Sequence, residues 1–267
     1  LKQARTQRVK FRVQVPQSVK VAHRVRDALN ALVESGQKEL GGLSFRDEDL
    51  TLVRLSDTVL DEVNFRFATL SHSDVSGASF RAAHLGSAKM SHVTADRASF
   101  AGAYLGYACL SGSSLKDANC TGADFRDADL RSVQATGANF RFANFAGADL
   151  RYARFDHADL RGIVLEGTTL TKVGLSDAII GRDESQELHL VGERPYLAIG
   201  PIGSRADTLH VFVTHQGVYL RTGCFFGSVD EFKAALEDEH GTLSRTSREY
   251  QAALFLARTH GEAWGQY

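Results

Sequence analysis

The side chains best able to do chemistry in this chain are its histidines and cysteines, and few of them are spaced to act together. His72 and His92 stand twenty residues apart. Two histidines can begin a metal site, but a stable one takes three or four ligands, so both read as solvated surface residues. Cys224, in the stretch Gly223-Cys224-Phe225-Phe226-Gly227, could serve as a nucleophile with His210 or His215 as its base. No spacing names that pairing, and a buried thiol is the expectation. The glycine-rich run Gly200-Pro201-Ile202-Gly203-Ser204 lacks the lysine and spacing of a phosphate loop and reads as a turn. These residues point to no catalytic site, no metal and no cofactor.

Charged and aromatic residues suit contact rather than catalysis. Arg126, Arg131, Arg141, Arg151, Arg154 and Arg161 crowd one stretch and could steer an acidic partner. Asp129 and Asp149 stand two residues before Arg131 and Arg151, however, so a self-neutralising surface ladder is the favoured reading. Tyr104, Tyr107, Phe142 and Tyr152, with Phe67, fall at outward or corner positions, and exposed aromatics beside arginine mark protein-contact hot spots. A basic arm (Arg5, Arg8, Lys10, Arg12, Lys20, Arg24, Arg26) is the single segment whose charge suits phosphates or an acidic protein face.

An internal repeat must position these residues. Every fifth residue from Leu40 to Ile180 is apolar, without one slip of register. Two residues before each, alanine dominates, as at Ala68, Ala78, Ala118, Ala123 and Ala148, with Glu48 the outlier. Residues i and i−2 of an extended strand point the same way, so large and small side chains face inward together. The residue between them points out and is often Asp or Asn, as at Asp124, Asn139, Asn144 and Asp149. Glycine recurs two residues after the apolar centre, as at Gly77, Gly102 and Gly147, where a tight turn wants positive φ. Five residues allow about three extended residues and a corner. Four corners close a coil of about twenty residues, and the array spans about seven coils stacked at the ~4.8 Å strand spacing. Phe45 over Phe65, Phe80 over Phe100 and Phe125 over Phe145 should stack inside.

Motifs such as Ala123-Asp124-Phe125-Arg126-Asp127, Ala138-Asn139-Phe140-Arg141-Phe142 and Ala148-Asp149-Leu150-Arg151-Tyr152 resemble the pentapeptide-repeat family over about half the chain. The resemblance implies a mainly β fold, a right-handed quadrilateral β-helix. The family's best-known members bind DNA topoisomerases and protect them from poisons. A topoisomerase-directed DNA mimic needs a dense acidic face, whereas residues 40–180 carry 14 Lys/Arg against 17 Asp/Glu, interleaved.

The flanks break the period. Residues 1–39 form an expected strand-helix cap: Val9 to Val15 alternate, Pro16 ends the strand, and Ser18 opens a helix with an apolar stripe of Val21, Val25, Ala28, Leu29 and Leu32. Residues 181–267 read as a small α+β domain with strands at Tyr196–Ile202, Thr208–Thr214 and Val218–Gly223. A helix should follow Ser228 with Asp230 and Glu231 in its first turn, and a last one should run from about Ser247 to His260. This tail resembles those on phage and bacterial repeat proteins through Ile199–Ser204 and Thr222–Ser228.

Three cysteines, odd in number and widely spaced, suit a reducing, cytoplasmic setting, and no apolar run is long enough to span a membrane. The chain does not begin with Met, so a leader could have been removed. The leading expectation is a non-enzymatic scaffold that binds another protein, with a homo-oligomer through the C-terminal domain and a role in phage or bacterial counter-defence or regulation. Topoisomerase mimicry and an enzyme in residues 181–267 are the alternatives.

Overall fold

The computed structural model describes residues 22–183, 186–192, 195–202, 207–223, 225–240 and 244–264, without the side chains of 22–24, 207 and 240. The strand expected at 9–15, Pro16, Ser18, Val21 and Cys224 lie outside the described residues, as do Arg5, Arg8, Lys10, Arg12 and Lys20.

The period of five becomes a coil of twenty. Parallel bridges join each outward strand residue to the one twenty further on, from Glu39↔Val59 to Asp159↔Ile179. Between bridges the chain turns a corner. At most corners the carbonyl of the apolar centre accepts from the amide three residues later, as in Val53 N→Leu50 O at 3.0 Å. The second corner residue has positive φ at every corner from Gly42 to Asp177, which is the mark of a type II turn. Nine of those positions are glycine and nineteen are not. Their amides donate to the next coil, as in Phe142 N→Arg161 O at 2.9 Å. The ladder between coils thus holds residues in a conformation their side chains disfavour.

The lumen is packed solid. Phe45–Phe65, Phe80–Phe100 and Phe125–Phe145 stack at 5.2, 4.9 and 5.2 Å between ring centroids. Phe140 and Phe155 meet edge-on across the interior at 5.2 Å. Each such side chain contributes about 1.5–3 kcal/mol by burial. Small polar inward residues are satisfied by backbone: Ser73 Oγ accepts from Val53 N and donates to Leu50 O of the preceding coil, and Thr58 donates to Leu55 O of its own turn. Glu48 sits on the first turns, where it stays partly exposed.

Helix α1 (Ala22–Glu34) lies against the first coil. Its contact face is Val25, Leu29 and Val33. Ala28 and Leu32, expected on that face, are exposed instead. Polar bonds set the helix rotation: Asn30 Oδ1 accepts from Arg54 N at 2.8 Å, and Arg26 donates to Thr51 O at 3.3 Å. Asn30 thereby satisfies an amide at the coil edge that has no preceding coil to bond.

At the other end the last coil runs directly into β1 (Ile179–Asp183), which pairs antiparallel with β2 (Gln186–His189), a hairpin not foreseen from sequence. A four-stranded antiparallel sheet follows, in the order β3 (Tyr196–Ile202), β4 (Asp207–Thr214), β5 (Gly217–Thr222) and β6 (Phe225–Ser228). The short β6 was also unforeseen. Helices α2 (Val229–His240) and α3 (Arg245–Trp264) cover one face around Leu209, Val211, Leu220, Phe232 and Leu254. Ser228 and Glu231 form a reciprocal capping box at the start of α2. From the opposite face, Phe212 and Tyr219 join Leu188 and Leu190 in the rod's own core. The sheet therefore closes the lumen. The void left beneath it, lined by Phe155, Leu160, Leu190, Tyr196 and Phe212, is about 20 Å³, room for a single water.

Candidate functional site

With the interior filled, the surfaces open to a partner are the outer faces. Residues twenty apart share a face, and this rule divides the arginine group. Arg131 and Arg151 lie on one face, Arg141 and Arg161 on another, and Arg126 and Arg154 on the remaining two. The structure therefore does not assemble the six into a single patch.

Most of them are neutralised where they stand. An aspartate at the outward strand position and an arginine two residues later meet around the start of the corner: Asp124–Arg126 at 2.6 Å, Asp129–Arg131 at 2.7 Å, Asp149–Arg151 at 2.6 Å and Asp159–Arg161 at 2.5 Å. Arg154 meets Asp156 at 2.7 Å in the reverse order. Hydrogen bonds from Arg131 and Arg151 hold the Asp129 and Asp149 carboxyls below their ordinary range. Burial works to raise Asp124, but the bonds from Arg126 prevail and lower it. Arg141 differs, because Asn139 takes the place of the aspartate. Its Nε is buried with no hydrogen-bond partner, and its guanidinium lies 5.4 Å from the Phe142 ring.

The aromatic candidates occupy corners. Phe67, Tyr107, Phe142 and Tyr152 all sit at the positive-φ position and are 43%, 64%, 61% and 52% exposed. Cations flank three of them, with Arg46 over Phe67, Arg141 beside Phe142 and Lys172 over Tyr152. A hydrogen bond with Asp127 raises the Tyr107 hydroxyl above its ordinary value. Tyr104 is placed differently. It is an outward strand residue, half-buried, its ring laid along Gly86 and Gly106, where a Cβ would meet it at 2.6 and 2.7 Å.

His72 and His92 stack at 5.1 Å on one face. Among the described residues no cluster of three or more ligating side chains occurs. Of the basic arm, Arg26 is described; it pairs with Asp27 and bonds to Thr51.

Tertiary contacts bring together groups that sequence reading missed. Asp177 in the last coil bonds to His157 at 3.1 Å and to His189 of β2 at 2.9 Å. Tyr196 OH meets His210 Nδ1 at 2.7 Å between neighbouring strands. Burial pushes the Tyr196 hydroxyl up and the His210 imidazole down. Arg221 on β5 donates to Ile163 O at 2.8 Å and lies 5.0 Å from the Phe226 ring. Burial lowers its guanidinium below the ordinary value, with the charge of Glu166 opposing. Arg221, Phe226 and Arg182 line a cleft with Arg141, Phe142 and Arg161. The one sequence signal was an arginine on an otherwise apolar strand, and nothing local tied it to a residue eighty positions earlier.

A family model described as pentapeptide repeats matches in eight copies over residues 49–86, 78–117, 113–151 and 148–180. Among solved structures the chain is similar to HetL, a pentapeptide repeat protein involved in heterocyst differentiation regulation in the cyanobacterium Nostoc sp. strain PCC 7120. That match has 26% identity, covers 53% of this chain and 78% of that one, and has a TM-score of 0.31. A trypsin-treated form of QnrB1, a plasmid-mediated fluoroquinolone resistance protein, matches at 20% identity over 51% of this chain and 88% of its own, with a TM-score of 0.36. Rfr23 from the cyanobacterium Cyanothece 51142 matches at 19% identity over 60% and 97%, with a TM-score of 0.25. No curated protein sequence matches significantly. On its repeat, its twenty-residue bridges and the eight matched copies, the chain belongs, through residues 49–180, to the pentapeptide-repeat family.

Proposed function

We propose that this protein is a non-enzymatic scaffold that binds another protein through the outer corners of its rod. The observation that carries this reading is the set of four exposed aromatics, Phe67, Tyr107, Phe142 and Tyr152, at corners where the backbone favours glycine. Bulky residues with positive φ are strained, and strain kept at an exposed position points to use rather than to stability. Rings so held lose little freedom on binding, which favours affinity.

In this reading residues 1–39 cap the rod, residues 40–180 form its seven or so coils, and residues 181–267 close the far end and serve for self-association. Phe255 and Leu256, 71% and 51% exposed on α3, support the last role. The basic arm is the one segment suited to nucleic acid. No helix among the described residues is long and apolar enough to cross a membrane, and the free thiols of Cys109 and Cys120 fit a cytoplasmic setting. Counter-defence or regulation in a phage or bacterium would be such a scaffold's setting. The pairing of Asp124, Asp129, Asp149 and Asp159 with their own arginines weighs against a DNA mimic aimed at a topoisomerase. An enzyme in residues 181–267 has the part-buried Tyr196–His210 pair as its best candidate, and its place beneath the sheet suits a packing role.

The test is affinity capture from host lysate with the full chain and with a Tyr107→Ser, Phe142→Ser, Tyr152→Ser variant of unchanged fold. One protein captured at near-equal stoichiometry by the first and lost by the second is expected. Equal capture by both sinks the corner-aromatic reading.

A further inference from the structure

The cleft between the rod's last coils and the C-terminal sheet has a chemistry that the scaffold reading does not use. It measures about 450 Å³, within the range of about 300–1,000 Å³ typical of small-ligand sites. Four arginines line it: Arg141 and Arg161 from the rod, Arg182 from β1 and Arg221 from β5. Two carboxylates answer them. Asp159 and Glu187 both bond to Arg161, at 2.5 and 2.8 Å, and Glu187 also reaches Arg182 at 3.4 Å. Among the described residues neither Arg141 nor Arg221 makes an ion pair, in contrast to Arg126, Arg131, Arg151 and Arg154 on the open faces.

Arg141 and Arg221 have contacts other than ion pairs, and the charge of Glu166 also acts on Arg221. Arg221 is fixed by the carbonyls of Ile163 and Ile180 and by the Phe226 ring. Those bonds use two of its five N–H donors. Arg141 lies beside Phe142, and its buried Nε has no acceptor. A buried donor without a partner is costly, and an anion that reached it would remove that cost. Forked guanidiniums match the oxygens of phosphate. Phe142 and Phe226 add flat apolar walls suited to a ring.

We propose that this cleft binds a phosphorylated small molecule of nucleotide size, its phosphate taken by Arg141 and Arg221 and its ring laid against Phe142. The site is complete in one chain, and it shares Phe142 with the corner aromatics.

The full chain should be titrated calorimetrically with adenosine 5′-monophosphate, inorganic phosphate, adenosine and a short polyglutamate peptide. The monophosphate is expected to bind at least tenfold more tightly than phosphate, with adenosine not detected. Arg141→Gln should weaken the monophosphate at least tenfold and Phe142→Ala should remove its advantage over phosphate. Arg131→Gln, on another face, should leave binding unchanged. Arg141→Gln alters an arginine without an ion pair, and circular dichroism will confirm its fold. Failure of the wild-type chain to bind monophosphate or phosphate overturns the proposal. So does equal binding by Arg141→Gln, or binding of polyglutamate alone, which would mark the cleft as a seat for an acidic protein segment.

Discussion

The Phe142 ring lies directly over Gly162, twenty residues on, so closely that a Cβ on the glycine would meet Phe142 Cδ1 at 2.5 Å. Each residue makes the other possible: the glycine leaves space, and the ring covers bare backbone. Gly162→Ala should destabilise the chain by about 1–3 kcal/mol, from positive φ and the clash together. In a Phe142→Ala background the same change should cost less, giving a coupling on the order of 1 kcal/mol in a double-mutant cycle. Additive denaturant midpoints would contradict the contact.

Leu110 is 1% exposed in the middle of the rod. Leu110→Ala should cost about 2–5 kcal/mol through the cavity it leaves. Leu110→Asp should abolish cooperative folding, since its charge would have no partner in the lumen. A cooperative melt of the aspartate variant at the wild-type temperature would refute the inward assignment.

The thiols should separate by reactivity. Cys120 is fully enclosed, and desolvation pushes its thiol far above the ordinary value. Cys109 is half-buried at an outward strand position beside Ser91, Ser111 and Asp129. In the native protein iodoacetamide, read by peptide mapping, should label Cys109 and spare Cys120 until the chain is unfolded. Equal labelling under native conditions would place Cys120 outside the core.

Acid should weaken the corner pairs. The Asp129 and Asp149 carboxyls are lowered by bonds from their arginines, and Asp124 is lowered despite its burial. A folded-state pKa below the unfolded one gives stability that is present above the ordinary carboxylate range, about 4, and is lost as pH falls through the lowered values. An Asp124→Asn, Asp129→Asn, Asp149→Asn variant should melt below wild type at pH 7, with the gap narrowing as pH falls below about 4. A constant gap would show that the pairs do not titrate with unfolding.

The amino-acid sequence by itself determined the rod. Inward residues such as Phe125 and Ala123, outward ones such as Asp124 and the corner glycines recur at fixed offsets. Each coil touches the next at a separation of twenty, so the period already contains the contact map, including the Phe45–Phe65 stack. Aspartate–arginine pairs two residues apart were legible for the same reason. Tertiary structure alone decided what happens at the ends. The face of α1 that docks follows from where Asn30 meets the amide of Arg54, which rotates Leu32 out into solvent. Asp177 between His157 and His189, and Arg141 in one cleft with Arg221, depend on how a non-repeating sheet settles on the last coil. Those contacts join residues at irregular separations across loops of unequal length, and no local pattern of apolar and polar residues encodes which face of the sheet will cover the lumen.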